Sequence, residues 1–128
     1  MSAQEARIAK IAGKVQPFLE PGETVRDAVY GAAGGRTAIF LGLLAYGMKL
    51  AYPSLVVLTD RHLYVFKGSM WSTTTPKAVV AKTPVGAAEA SMSAGALTVT
   101  GEPKPIWLGV LAGRGSRLAQ SLAAMKGR

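Results

Sequence analysis

The pattern of apolar and polar residues changes twice along the chain, from helical spacing to strand-like alternation and back to helical spacing. In residues 3–18, apolar side chains recur every three or four positions and share one helical face: Ile8, Ile11, Val15, and Phe18 or Leu19. Pro17 predicts that this amphipathic helix ends near Gln16. Because the apolar face is narrow, the pattern favours a helix docked on its own sheet. The alternative is a helix that lies on a membrane surface.

A second helical pattern closes the chain. The segment RGSRLAQSLAAMKGR at residues 114–128 places Leu118, Leu122 and Met125 at i, i+4 and i+7, which predicts one buried stripe. Ser116 is a candidate N-cap for this helix, because its hydroxyl could accept a bond from the first turn.

Six or seven short strands are predicted between these two helices. Their residues alternate in polarity or are rich in β-branched and aromatic types, and turn residues separate them. The predicted strands are 24–31, 54–59, 61–68, 77–86, 88–95, 96–101 and 105–112, with the second starting near Tyr52 or Ser54. In the first strand, one face should carry Val25, Asp27 and Val29 and the other Arg26, Ala28 and Tyr30.

The stretch SLVVLTDRHLYVFKG, residues 54–68, is predicted to form a hairpin with Asp60 and Arg61 at its corner. One face should carry Leu55, Val57 and Thr59, and on the returning strand His62, Tyr64 and Phe66 should oppose Leu63, Val65 and Lys67. His62 is the only histidine of the chain, with no cysteine and no nearby carboxylate cluster in the sequence. A lone histidine is a poor metal ligand or catalytic base, so neither role is predicted here.

Residues 37–58 contain a single charged residue, Lys49, and a single proline, Pro53. A helix needs about 20 apolar residues to span a bilayer, and this segment reaches that length only by including both. We therefore expect a short apolar helix or loop at 37–51, followed by a strand. The apolar piece could be a buried core element, an oligomer interface or a loop that dips into a membrane.

Two short motifs resemble those of the bacterial pleckstrin-homology-like (PH-like) families. LEPGETV at 19–25 resembles an L-x-x-G-E-x-V opening, and the hairpin resembles a strand followed by Thr-Asp-x-(Arg/His)-Leu. The resemblance implies a mainly β (α+β) fold, a bent sandwich or partly open barrel of about seven strands capped by a C-terminal helix. Residues 1–18 would add an N-terminal helix, and 19–128 would form the PH-like domain with an apolar insertion at 36–51.

Charge and composition narrow the possible functions. The 128 residues carry a net charge of +8, and no acid follows Glu102, whereas five cations do. Such a surface attracts anionic lipid or nucleic acid. The absence of cysteine excludes disulfides, thiolate metal sites and a cysteine nucleophile. The first fifteen residues do not read as a secretory signal, so we expect a cytoplasmic protein.

The resemblance implies binding to lipids, peptides or other proteins, or assembly into oligomers. The residue inventory argues against an enzyme, because the seven carboxylates are scattered and GAAGGR lacks the lysine and hydroxyl residue of a P-loop. Lipid-binding members use basic residues in the first hairpin loop, which corresponds to residues 32–51 here. The candidate membrane- or partner-binding residues are Arg36, Phe40, Leu41, Leu44, Tyr46, Lys49 and Trp71. A candidate basic patch consists of Arg7, Lys10, Lys14, Arg114 and Arg117.

We therefore expect a module that binds an anionic membrane surface or a protein partner through 36–51, with no cofactor and no metal. The first alternative is a homo-oligomeric assembly domain that uses the same segment as its interface. The second is non-specific binding of nucleic acid, which only the charge favours, because no basic run with interleaved aromatic residues is present.

Overall fold

The computed structural model describes residues 3–34, 52–69, 72, 74–93, 95–108 and 112–127. In these residues the chain forms a helix at each end of its length and strands between them. Helix α1 spans Ala3–Val15 and is followed by a 3-10 turn at Gln16–Phe18. The strands are β1 Val25–Ala33, β2 Tyr52–Thr59, β3 His62–Gly68, β4 Pro76–Pro84, β5 Ala90–Ser93, β6 Ala96–Val99 and β7 Ile106–Trp107. A 3-10 turn at Val85–Ala87 follows β4, and helix α2 spans Ala112–Lys126.

All strand pairs are antiparallel, and the seven strands form one sheet in the order β4-β3-β2-β1-β7-β6-β5. The sheet curls into a half-barrel. The predicted fold class is confirmed: the chain is mainly β (α+β), with a seven-stranded curled sheet and a helix at each end of the sequence. Within the described residues, no helix combines the length and the apolar character that crossing a bilayer requires.

The sheet buries a hydrophobic cluster with each helix. Ile11 and Val15 of α1 are fully buried in a cluster with Leu55, Val57, Tyr64 and Phe66 of β2 and β3. Burial of such side chains contributes about 1.5–3 kcal/mol each. Helix α1 is therefore docked on the sheet, as the narrow apolar stripe predicted.

Helix α2 packs into a second cluster through Leu118 and Leu122, with Met125 partly buried against it. This is the stripe that the i, i+4, i+7 spacing predicted. Leu63 and Val65 belong to this cluster, whereas Tyr64 and Phe66 belong to the α1 cluster. The predicted alternation of the hairpin is thus confirmed.

Strand β1 departs from its predicted alternation at Val25. The register with β2 shifts between Val25 and Asp27, which leaves Arg26 as an extra residue in a β-bulge. Because of the bulge, Val25 packs in the same cluster as Ala28, whereas Val29 packs in the other. The prediction that Val25 shares a face with Val29 was wrong for this reason.

The C-terminal part differs most from the sequence prediction. The strand expected at 105–112 covers only Ile106–Trp107, and α2 begins at Ala112, so Ser116 lies inside the helix and is not its N-cap. Glycine disfavours a helical conformation, yet Gly115 lies within α2. The helix packs so closely against Leu108 and Met92 at this point that a residue with a side chain would not fit. A Cβ atom on Gly115 would lie 2.5 Å from the Met92 sulfur and in collision with Leu108. Tertiary packing therefore overrides the local preference.

Candidate functional site

The densest group of chemically active side chains surrounds the buried carboxylate of Glu23. The turn at residues 20–23, in which Gly22 has a φ of 80°, places Glu23 beside the β2–β3 corner. Its carboxylate accepts hydrogen bonds from the Thr59 hydroxyl, the Tyr64 hydroxyl at 2.7 Å and the Glu20 backbone N–H at 2.9 Å. The Nδ1 atom of His62 lies 2.9 Å from the same carboxylate. We call Glu23, Thr59, His62 and Tyr64 the Glu23 cluster.

The electrostatics of this cluster favour an ionised Glu23 and a neutral Tyr64. Burial by itself would raise the pKa of Glu23, but the bonds from Thr59, Tyr64, the Glu20 N–H and His62 together lower it to about 2. Burial and the adjacent Glu23 carboxylate raise the pKa of Tyr64. Tyr64 therefore remains a proton donor to Glu23, and the two groups stabilise each other's charge state.

The expectation that no carboxylates lie near His62 was wrong. Glu20 and Glu23, which are about forty positions earlier in the sequence, place ligand atoms within 4.8 Å of one another and of His62. The two motifs LEPGETV and TDRHL each contain part of this cluster. Their joint occurrence was the signal that could have revealed the contact.

The arrangement supports a structural anchor better than a metal site or a catalytic centre. Glu20 already has cationic neighbours, with Lys82 at 3.3 Å and Arg61 at 3.9 Å. Glu23 has a donor on each of its lone-pair sites, so a metal ion would have to displace several of them. Thr59 and Tyr64 both donate hydrogen bonds to the Glu23 carboxylate. Because the pKa of Glu23 is low, this carboxylate is a weak base and does not activate either hydroxyl as a nucleophile.

The two polar residues at the hairpin corner bond a segment that is distant in the sequence, the turn before β1. Asp60 Oδ1 accepts the Thr24 N–H at 2.9 Å, and Arg61 Nη1 donates to the Pro21 carbonyl at 3.2 Å. Asp60 and Arg61 lie at the corner between β2 and β3, as predicted, but these side-chain bonds go to Thr24 and Pro21 and not to the backbone of the corner itself. Together with the Glu23 cluster they fasten the turn before β1 to the corner between β2 and β3.

The candidate basic patch divides into a group around Asp27, a group around Lys14, and Lys10, which is exposed. The first group surrounds Asp27 of β1. Asp27 attracts Arg7 of α1 and Arg117 of α2, and Arg7 is repelled by Arg114 of α2. Asp27 is only 2% exposed, and its Oδ2 atom has no hydrogen-bond partner among the described residues. Burial raises the pKa of Asp27, whereas the Ala28 N–H, Arg117 and Arg7 lower it. This Asp27 cluster ties both helices to β1.

Lys14 forms the other part of the patch. Its Nζ atom donates to the hydroxyls of Thr74 and Thr75, at 3.0 and 2.9 Å, in the connection between β3 and β4. The Thr75 hydroxyl in turn donates to Ser72 Oγ at 2.9 Å. We call Lys14, Ser72, Thr74 and Thr75 the Lys14 pocket.

The seven candidate membrane- or partner-binding residues, Arg36, Phe40, Leu41, Leu44, Tyr46, Lys49 and Trp71, lie outside the described residues. The structure does show where the chain leaves and re-enters the sheet around the first six. Ala33 at the end of β1 pairs with Tyr52 at the start of β2. The chain therefore leaves the sheet after β1 and re-enters it at β2 at the same end.

The two ends of strands β1–β4 differ in their balance of charge. Glu20, Glu23 and Asp60 lie at the end where β1 starts and β2 finishes, and the cations Arg26, Arg61 and Lys82 lie at the same end and offset them. At the opposite end the exposed charged residues on the four strands are Lys67 and Lys77, and Lys14 joins them through Thr74 and Thr75. We call Lys14, Lys67 and Lys77 the basic end. The nearby Glu102 is only 3% exposed and accepts the Tyr52 hydroxyl proton in a hydrogen bond.

Comparison with protein-family models, with curated proteins and with solved structures found no match to this chain.

Proposed function

We propose that this chain is a non-enzymatic binding module that associates with an anionic membrane surface through the basic end and the apolar 36–51 segment. The excess of exposed positive charge at one end of strands β1–β4 is the observation that carries this proposal. Lys67 and Lys77 are exposed at the end where the chain leaves the sheet after β1 and re-enters it at β2. Each lysine near an anionic bilayer contributes about 1 kcal/mol of attraction.

The sequence of the 36–51 segment supplies the second contribution. It contains large apolar residues such as Phe40 and Leu44 between the cations Arg36 and Lys49. Each such side chain contributes up to about 1.5–3 kcal/mol when it is fully removed from water. Apolar insertion combined with cations at the headgroup level is sufficient for peripheral binding, and it needs neither a cofactor nor a reaction. A cytoplasmic protein of this kind would act at the inner face of the cell membrane.

Co-sedimentation with vesicles tests the proposal. Wild-type protein and a Phe40→Asp, Leu44→Asp double variant are mixed with anionic and with neutral vesicles at low and at high salt. We expect the wild type to bind anionic vesicles at low salt, and the double variant to lose that binding.

A matched control is available on β4, where Val79 and Val80 are 42% and 46% exposed. The Val79→Asp, Val80→Asp double variant makes the same change in charge outside the 36–51 segment, and we expect it to retain more binding. Equal loss in both variants would show that only net charge matters and would overturn the role of the segment.

The alternative of a homo-oligomeric assembly domain predicts a different result from the same samples. Light scattering gives the mass of each free protein. A wild type that does not bind vesicles, and that forms a multimer which the Phe40→Asp, Leu44→Asp variant disrupts, would replace membrane binding by assembly through 36–51.

A further inference from the structure

We propose that the Lys14 pocket binds a phosphate group. This goes beyond membrane attraction by charge, because it assigns a specific ligand chemistry to Lys14, Ser72, Thr74 and Thr75. The pocket lies between the C-terminal turn of α1 and the β3–β4 connection, which the two bonds of Lys14 hold together. It does not use the 36–51 segment, so it can be present whether or not that segment meets a membrane.

The hydrogen-bond inventory of the pocket leaves donors in excess. A lysine ammonium has three N–H donors, and the hydroxyl oxygens of Thr74 and Thr75 accept two of them. Thr75 donates to Ser72. The hydroxyls of Ser72 and Thr74 are 3.3 Å apart, and at most one of them can donate to the other. One N–H and one O–H therefore have no acceptor among the described residues.

The charge of the pocket also lacks a partner. Lys14 is half-buried, and in the part of the chain that the structure describes it forms no ion pair. No Asp or Glu occurs in the sequence from Arg61 to Ala88, which includes the whole β3–β4 connection. A half-buried ammonium without a counter-charge is costly, and an anion would offset that cost.

A phosphate group fits these two features. Its oxygens only accept hydrogen bonds when it is fully ionised, so it matches a site where an ammonium and a hydroxyl both offer protons. Thr74 is 7% exposed, whereas Ser72, Thr75 and Lys14 are partly exposed, so an anion can reach three of the four side chains from solvent. Lys77, two positions after Thr75, is exposed and adds a positive charge at the start of β4.

The phosphate could come from a lipid headgroup or from a free phosphate compound, and two experiments separate these sources. In the first, inorganic phosphate is titrated into the full chain in a calorimeter at constant ionic strength. In the second, the chain is mixed with vesicles that contain phosphatidic acid, or with vesicles of equal charge that contain phosphatidylserine. Binding of inorganic phosphate indicates that the ligand is a free phosphate compound. A preference for phosphatidic acid vesicles, with no binding of inorganic phosphate, indicates a lipid headgroup.

Lys14→Met removes the ammonium and keeps the length of the side chain. We expect it to weaken phosphate binding about tenfold or more, because a hydrogen bond from a charged donor is worth at least that factor. Lys10→Met is the matched control: it makes the same change in charge one turn earlier on α1, at an exposed position. It should change phosphate binding less than about twofold, as expected for a screened surface charge.

Ser72→Ala keeps the test decisive if Lys14→Met fails to fold, because Ser72 is partly exposed and its loss leaves the bonds of Lys14 intact. We expect weaker phosphate binding in this variant with an unchanged melting temperature. The proposal is overturned if neither phosphate source binds, if Lys10→Met weakens binding as much as Lys14→Met, or if Ser72→Ala folds and binds normally. A wild-type chain that binds inorganic phosphate but does not bind anionic vesicles would overturn the membrane proposal and leave this one standing.

Discussion

At the scale of single residues, the Glu23 carboxylate organises one end of the sheet because several donors converge on it. These donors come from β2, from β3 and from the turn before β1. The Thr59 hydroxyl has a second acceptor, the His62 carbonyl oxygen at 3.1 Å, whereas the described residues offer the Tyr64 hydroxyl no acceptor besides Glu23. The carboxylate therefore contributes to stability chiefly by preventing buried donors from being left unsatisfied.

We expect Glu23→Gln to lower the free energy of unfolding by about 2–3 kcal/mol, because an amide offers one acceptor oxygen where the carboxylate offers two. Urea denaturation at neutral pH measures the change. Glu20→Gln is the control, since it removes only exposed ion pairs with Arg61 and Lys82 and should cost at most about 1 kcal/mol. Equal effects of the two substitutions would contradict the anchoring role.

The lowered pKa of Glu23 predicts how stability depends on pH. Its ordinary pKa is 4.5 and its folded value is about 2, so its contribution is fully present above pH 4.5 and is lost as the pH falls toward 2. Urea midpoints measured across that window should fall steeply in the wild type and less steeply in Glu23→Gln. Parallel curves would show that another group causes the acid sensitivity.

Asp27 should have the opposite pH dependence. Its pKa is raised above the ordinary 3.8, mainly by burial, so the folded state binds the proton more tightly than the unfolded state does. Its contribution therefore makes stability fall as the pH rises from 3.8 through the raised pKa. In Asp27→Asn this fall should disappear, and the same urea midpoints, compared between the two proteins, measure it. An unchanged pH profile would contradict the prediction.

At the scale of secondary structure, how well an element could be predicted depends on whether its cause is local. The stripe of α1 and the alternation of β2 and β3 follow from spacing within each segment, and the structure agrees with them. The bulge at Arg26 and the early start of α2 depend on contacts with distant residues, which spacing does not encode. The same limit hid the approach of Glu23 to His62. The membrane- or partner-binding role of the six candidate residues in 36–51, and of Trp71, stays a prediction.

The contact between β1 and β7 requires a residue without a side chain at Gly31. A Cβ atom there would lie 2.6 Å from the Trp107 carbonyl oxygen and 2.7 Å from Ile106 Cγ2. We expect Gly31→Ala to destabilise the protein by about 1–3 kcal/mol, as overpacking does. Gly13→Ala serves as the control, because this exposed helical glycine has no atom within 4 Å of an added Cβ and should gain about 0.5–1 kcal/mol. Thermal melts of both variants give the signs, and a neutral Gly31→Ala would contradict the packing.

At the scale of the whole molecule, the curl of the sheet brings its distant parts together. Ala81 on the outer strand β4 meets Gly101, which follows β6, so closely that a Cβ atom on Gly101 would collide with the Ala81 Cβ. Gly101 also has a φ of 94°, a backbone conformation that favours glycine. Two independent requirements therefore select glycine at position 101: the close approach of Ala81 and the positive φ angle.

Gly101→Ala should therefore cost about 1–3 kcal/mol, from the backbone strain and the collision together. A double-mutant cycle with Ala81→Gly separates the two causes, because the second change relieves the collision and leaves the strain. We expect a favourable coupling free energy between the substitutions, measured by urea denaturation. Strictly additive effects would mean that the strands do not meet at this point.

The narrow contact between β1 and β7 has a consequence for the order in which the native protein opens. Among the described residues, eight pairs join β1 to β2, but two join β1 to β7, where the Gly34 N–H also bonds the Pro105 carbonyl, and two join β7 to β6. The sheet therefore has a seam, across which few backbone hydrogen bonds must break for β5–β7 to separate from β1–β4. Local openings follow the weakest cooperative boundary. Amide hydrogens along this seam should exchange with solvent earlier than those between β2 and β3. The strands β5–β7 would then separate from β1–β4 before the whole molecule unfolds.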